Sequence, residues 1–136
     1  ILYHLGTFLA ILLYFLFLAG LRFNSTLNLI AILFLSVTAA SGLLILAKRI
    51  INPALASLSN PDDYISNILV TLFQVMTAAF MADMAFMMIY FLSASALLLY
   101  LPLGKLKHAV YFFAARYHLG HYFGYRGTWP PVNNNS

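Results

Sequence analysis

Two of the four histidines in this 136-residue chain fall at matched places in its hydropathy pattern. His4 opens the first apolar stretch, and His108 lies one turn beyond the end of the last. Imidazole titrates near physiological pH and is a neutral nitrogen donor above its pKa, so it serves in metal ligation and proton transfer. On a membrane span such an ionisable group marks a functional position. If the apolar stretches cross a bilayer four times, the start of the first helix and the end of the fourth emerge on one side. Parity then puts both imidazoles at one depth, where a b-type haem iron takes one axial ligand from each of two helices. Histidines at a membrane interface also serve as plain amphipathic side chains, and four histidines make accidental matches easy.

The elements that would hold these residues follow from composition. The chain is 63% hydrophobic, with seven Lys/Arg and three Asp/Glu, too few polar groups to coat a water-soluble globule. An all-α integral membrane bundle is expected. Cysteine is absent, which excludes disulfides and any iron–sulfur cluster ligated by these residues, so redox work requires a bound cofactor. The net charge of +4 belongs with cytoplasmic loops and lipid headgroups rather than with nucleic acid. The first segment lacks a basic start and a small-residue cleavage site, and reads as a retained span rather than a secretory signal.

Four transmembrane helices are expected, over about 1–21, 29–47, 64–81 and 84–103, with an amphipathic cytoplasmic tail. Residues 1–108 form the bundle and 109–136 the tail. Arg22, Asn24, Ser25 and Asn28 make a polar turn after the first span, and Lys48-Arg49 stop the second. Ala39-Ala40-Ser41-Gly42 offers little bulk and suits close helix contact in lipid. Asn52-Pro53 opens a connector, and Ser59-Asn60-Pro61-Asp62-Asp63 closes it with proline and helix-capping acids. From Tyr64 to Leu103 only Asp83 is charged; one helix of that length would be about 60 Å, about twice the hydrocarbon core. A tight turn is therefore expected at Ala82-Asp83. The linker and tail then carry Lys48, Arg49, Lys105, Lys107, Arg116 and Arg126, against Arg22 alone on the other side, which makes the linker and tail cytoplasmic.

Lys48, Arg49, Lys105 and Lys107 lie near enough in sequence depth to pair with haem propionates, and Gly6 removes bulk where a macrocycle would press on the first helix. Gln74 and Asp83 are the strongly polar groups of the third and fourth spans; each suits a quinone site, and equally a helix–helix hydrogen bond or a turn. Met76, Met81, Met84, Met87 and Met88 cluster toward the outer side, more as flexible packing than as iron ligands. His118 and His121, three apart, have no carboxylate or cysteine beside them and suit surface or partner contacts better than a metal site. The tail from His108 to Gly127 is rich in aromatic and basic residues, fit for headgroups or a soluble partner.

The exit of the last helix, Leu99-Tyr100-Leu101-Pro102-Leu103-Gly104-Lys105-Leu106-Lys107-His108, resembles the last helix of the respiratory nitrate reductase gamma subunit, where a Phe-Pro-Phe-Ser-Arg/Lys-Leu-x-His run ends in a haem ligand. Tyr3-His4-Leu5-Gly6 is similar to that family's Phe-His-x-Gly helix, which bears the other ligand of the same haem. Ser59 to Tyr64 is similar to cytochrome b subunits of heterodisulfide reductase and dissimilatory sulfite reductase complexes. The resemblance covers spans two to five of a five-helix family and implies a further amino-terminal helix. It implies His4 and His108 as axial ligands of one haem b beside a cytoplasmic iron–sulfur partner. The ligands of the family's outer haem fall on Tyr14 and Tyr90, which implies one haem rather than two.

The expected function is a membrane-anchoring haem b subunit of a respiratory complex in a prokaryotic cytoplasmic membrane. It would pass electrons between the quinone pool and a cytoplasmic iron–sulfur or other redox partner, with substrate chemistry left to other subunits. The alternative is a cofactor-free structural anchor. A small transporter or channel ranks third, since apart from Asp83 the spans carry no charge to mark a pathway.

Overall fold

The computed structural model describes residues 1–104 and 107–126, with side chains described for all of these but 107–110, 123, 125 and 126. Among them the regular structure is all helical, in the order α1 (Leu2–Leu18), α2 (Ser25–Ile51), α3 (Pro53–Ser57), α4 (Pro61–Ala82), a 3₁₀ turn (Met84–Phe86), α5 (Met87–Tyr100) and α6 (Lys107–Arg126). α2 and α4 are long and apolar enough to cross a membrane; α1 and the Met84–Tyr100 segment are shorter apolar helices.

Local chemistry sets the helix ends, and it moves several of them away from the hydropathy boundaries. α1 stops at Leu18 rather than Leu21, because Gly20 takes φ +76° and closes a Schellman turn: Gly20 N–H donates to Phe17 O and Leu21 N–H to Leu16 O. α2 begins four residues before the expected Leu29, since the Asn24 side chain accepts from Leu27 N–H at 2.9 Å. It also runs on past Ala47 to Ile51, for Lys48 and Arg49 in the last turn suit the negative end of the helix dipole rather than breaking the helix. Asn52 then ends α2 and caps α3, accepting from Ala54 N–H, so the connector contains a helical turn that composition alone did not suggest.

α4 starts at Pro61, three residues ahead of Tyr64, with proline at its first position and Asp63 Oδ2 accepting from Asn60 N–H at 3.0 Å. The expected reversal at Ala82-Asp83 is present: Asp83 takes extended backbone and its Oδ1 accepts from Ala85 N–H at 2.8 Å. α5 ends at Tyr100 rather than Leu103, ahead of Pro102.

Contacts fix the direction of each helix. Tyr3, Thr7 and Phe17 of α1 meet Thr71, Gln74 and Phe80 of α4 in ascending order, so these two helices run parallel. Asn28 and Arg49 of α2 meet Met81 and Asp63, while Tyr90 and Tyr100 of α5 meet Phe80 and Asp62, so α2 and α5 run the opposite way. One end of the bundle, the connector end, carries Tyr3, Arg49, Asp62 and Gly104. The turn end carries residues 19–24 and 83–86. α4 packs on α1, α2 and α5, and its buried face, Val70, Thr71, Phe73, Gln74, Thr77, Ala78 and Met81, repeats at helical spacing.

Polarity is inverted relative to a soluble bundle. Thr38, Thr71, Gln74, Thr77 and Ser93 are buried, while Leu29, Ile30, Leu33, Val37 and Leu44 of α2 and Phe8 and Phe15 of α1 face outward. An apolar exterior of this extent suits lipid, and small or hydroxylated residues inside suit helix packing without a hydrophobic driving force. The small-residue run of α2 serves as expected: Ala39 and Gly42 are buried, and a Cβ on Gly42 would strike Thr71 of α4 and Tyr3 of α1.

Candidate functional site

His4 lies in the first turn of α1, beside Tyr3, with 5.8 Å between ring centroids. Successive helical residues are turned by about 100°, and the two rings part accordingly. Tyr3 points inward, its hydroxyl donating to Asn67 O at 3.1 Å and lying 3.2 Å from Thr71 Oγ1. His4 is exposed, on the same face as Phe8, Ile11 and Phe15, and among the described residues its imidazole takes no hydrogen bond. The donor set on offer there is a free imidazole at the connector end.

His108 is the second residue of α6, four positions past Gly104. A Cβ on Gly104 would meet Asp62 and Tyr100, and the Tyr100 hydroxyl donates to Asp62 Oδ1, so the exit from α5 is held against the start of α4. The side chains of His108 and Lys107, and all of Lys105, lie outside the described residues. Lys48 is exposed, whereas the Arg49 guanidinium is engaged 3.3 Å from Asp63 Oδ2 across the connector. Arg49 therefore joins the end of α2 to the start of α4.

Gly6 has a different role from the one its position suggested. A Cβ there would run into the Thr38 side chain, so Gly6 gives α2 close approach to α1 rather than clearing space for a macrocycle. Gln74 and Asp83 act as a helix–helix tie and a turn cap. Gln74 is fully buried; its Nε2 donates to Thr7 Oγ1 at 2.9 Å and to Tyr3 O at 3.2 Å. This tie belongs to a polar seam, Asn67, Thr71, Tyr3, Gln74 and Thr7, that joins α1 to α4 inside the bundle. The sequence carried a signal for it in the i, i+4, i+7 spacing of Asn67, Thr71 and Gln74.

Tyr14 and Tyr90 come together from α1 and α5. Tyr90 is fully buried and stacks between Phe80 (4.8 Å, 4° between planes) and Phe73 (5.9 Å, 13°), with Tyr14, Phe17 and Phe91 edge-on or tilted around it. Aromatic side chains fill that level of the bundle. His118 and His121 are exposed on α6, where His121 stacks on Tyr117, and no group of three or more metal-ligating side chains occurs among the described residues. The described side chains of α6 are exposed along its length.

No family model, curated protein or solved structure matches the chain.

Proposed function

We propose that the chain is a four-span membrane cytochrome b subunit that holds one b-type haem between His4 and His108. It is non-catalytic itself, passing electrons between the quinone pool and an iron–sulfur or other redox partner on the cytoplasmic side of a prokaryotic membrane. The observation that carries this reading is the shared end of the bundle. The start of α1, bearing a free imidazole, and the exit of α5, leading to His108, both stand at the connector end, where Arg49 pairs with Asp63 and Tyr100 with Asp62.

The haem, when bound, supplies one-electron transfer. His4 and His108 offer imidazole nitrogen donors, and Lys48, Lys105 and Lys107 offer cations for the propionates. Arg49 is committed to Asp63 and contributes through the connector instead. The packed rings around Tyr90 support one haem rather than two.

The test is the reduced-minus-oxidised absorption spectrum of the purified chain. A bis-histidine b-type signal that disappears in His4→Ala and in His108→Ala is expected. Its absence from the wild type, or its persistence in either variant, refutes the assignment.

A second reading, a cofactor-free membrane anchor, draws on Gly6. Its clearance is taken up by Thr38, leaving helix contact as the reason for a glycine two residues from His4. The same spectrum separates the two.

A further inference from the structure

At the turn end, opposite His4, the last turns of α1 and α4 and the start of α5 line a cavity of about 400 Å³ that opens to the outside. That is within the usual range of about 300–1,000 Å³ for small-molecule sites. Phe17, Phe80, Phe91, Met84 and Met87 supply its walls, and Arg22 is the one ionisable residue that lines it. Arg22 is exposed and has no ion-pair or hydrogen-bond partner among the described residues. The acid nearest in sequence to this end of α4, Asp83, is occupied as a cap on Ala85 N–H, and the Asn28 side-chain amide donates to Met81 O at 2.7 Å.

An apolar chamber with a single free guanidinium matches a ligand with a hydrocarbon body and a compact oxyanion, because the guanidinium fork pairs with phosphate in bidentate fashion. A quinol is the other amphiphile of comparable shape, but its oxidation releases two protons, and no lining residue is a base that could take them. We infer that this cavity is a phospholipid site: an acyl chain lies among Phe17, Phe80, Phe91 and Met87, and the phosphate sits on Arg22. The inference rests on the reading of the chain as a membrane protein, and is independent of the haem.

The test is native mass spectrometry of the full chain in detergent, titrated with phosphatidylglycerol and, separately, with a diacylglycerol of the same acyl chains. Wild type should prefer phosphatidylglycerol by at least about tenfold, that is about 1.4 kcal/mol. Arg22→Gln should abolish the preference while keeping diacylglycerol binding, and Met87→Trp, which fills the chamber, should weaken both. Equal binding of the two lipids to wild type, or an undiminished preference in Arg22→Gln, overturns the proposal. Displacement of the bound phospholipid by an equimolar short-chain quinone also overturns it and makes the chamber a quinone site. Partition of the purified chain into the aqueous rather than the detergent phase on cloud-point separation defeats the membrane reading itself, and the lipid site with it.

Discussion

Tyr14 of α1 and Tyr90 of α5 face each other with 6.3 Å between ring centroids and 61° between planes. The two helices meet through such rings rather than through close backbone contact. The Tyr90 ring therefore spaces α5 from α1. Its hydroxyl is buried and makes no hydrogen bond of normal geometry, although the Thr77 hydroxyl, which donates to Phe73 O at 2.7 Å, stands beside it.

Removing that hydroxyl and removing the ring should have opposite weight. Tyr90→Phe deletes an unanswered polar atom and should be neutral or stabilising by up to about 1 kcal/mol. Tyr90→Ala empties the stack between Phe73 and Phe80 and should cost about 3–5 kcal/mol. Thermal unfolding in detergent measures both; a Tyr90→Phe loss above about 2 kcal/mol would mean that the hydroxyl is tied.

Gly6→Ala should destabilise the bundle by about 1–3 kcal/mol, because the new methyl meets Thr38. If Gly6 instead gave room to a macrocycle, the variant would lose haem while the haem-free chain kept the melting temperature of haem-free wild type. Calorimetry and the absorption spectrum of one preparation tell the two apart.

The tie between Gln74 and Thr7 should appear as coupling. In a double-mutant cycle with Gln74→Leu and Thr7→Val, an interaction of about 0.6 kcal/mol is expected, with about 1.7 kcal/mol the upper end for buried polar pairs in membranes. Zero coupling would mean that the 2.9 Å contact contributes nothing.

Much of this arrangement can be read from the chain itself, and the part that cannot has a common cause. Runs of apolar residues long enough to need a reversal locate the Ala82-Asp83 turn, and small residues at Ala39 and Gly42 announce a tight contact. These are properties of one segment at a time. Helix ends depart from hydropathy wherever a cap decides them: Asn24 draws α2 outward, and Gly20 closes α1 early. Pairings between segments stayed hidden. Nothing in the sequence near Gly6 names Thr38 as its neighbour, and Gln74 shows only that it is polar, not that α1 answers it. His4 was legible as a candidate by type and depth; that its ring parts from Tyr3 and faces outward depends on which neighbours α1 acquires.

Arg49 and Asp63 should contribute modestly. The pair is partly open to solvent, with side-chain exposures of 31% and 13%, so Arg49→Gln should cost less than about 1 kcal/mol, shrinking at high salt. Asp63→Ala also removes the cap on Asn60 N–H and should cost about 1–2 kcal/mol more, a part that salt does not screen. Denaturation at low and high ionic strength separates the two contributions.

The seam from Tyr3 and Thr7 to Gln74 ties together halves of the molecule that are made at different times. The leading hairpin of α1 and α2 leaves the ribosome with the Tyr3 hydroxyl unanswered until Asn67 and Thr71 of α4 arrive. The same bonds that close late in synthesis give the halves a reason to find one another again: cut between residues 57 and 60, the two pieces should recombine, each supplying what the other lacks.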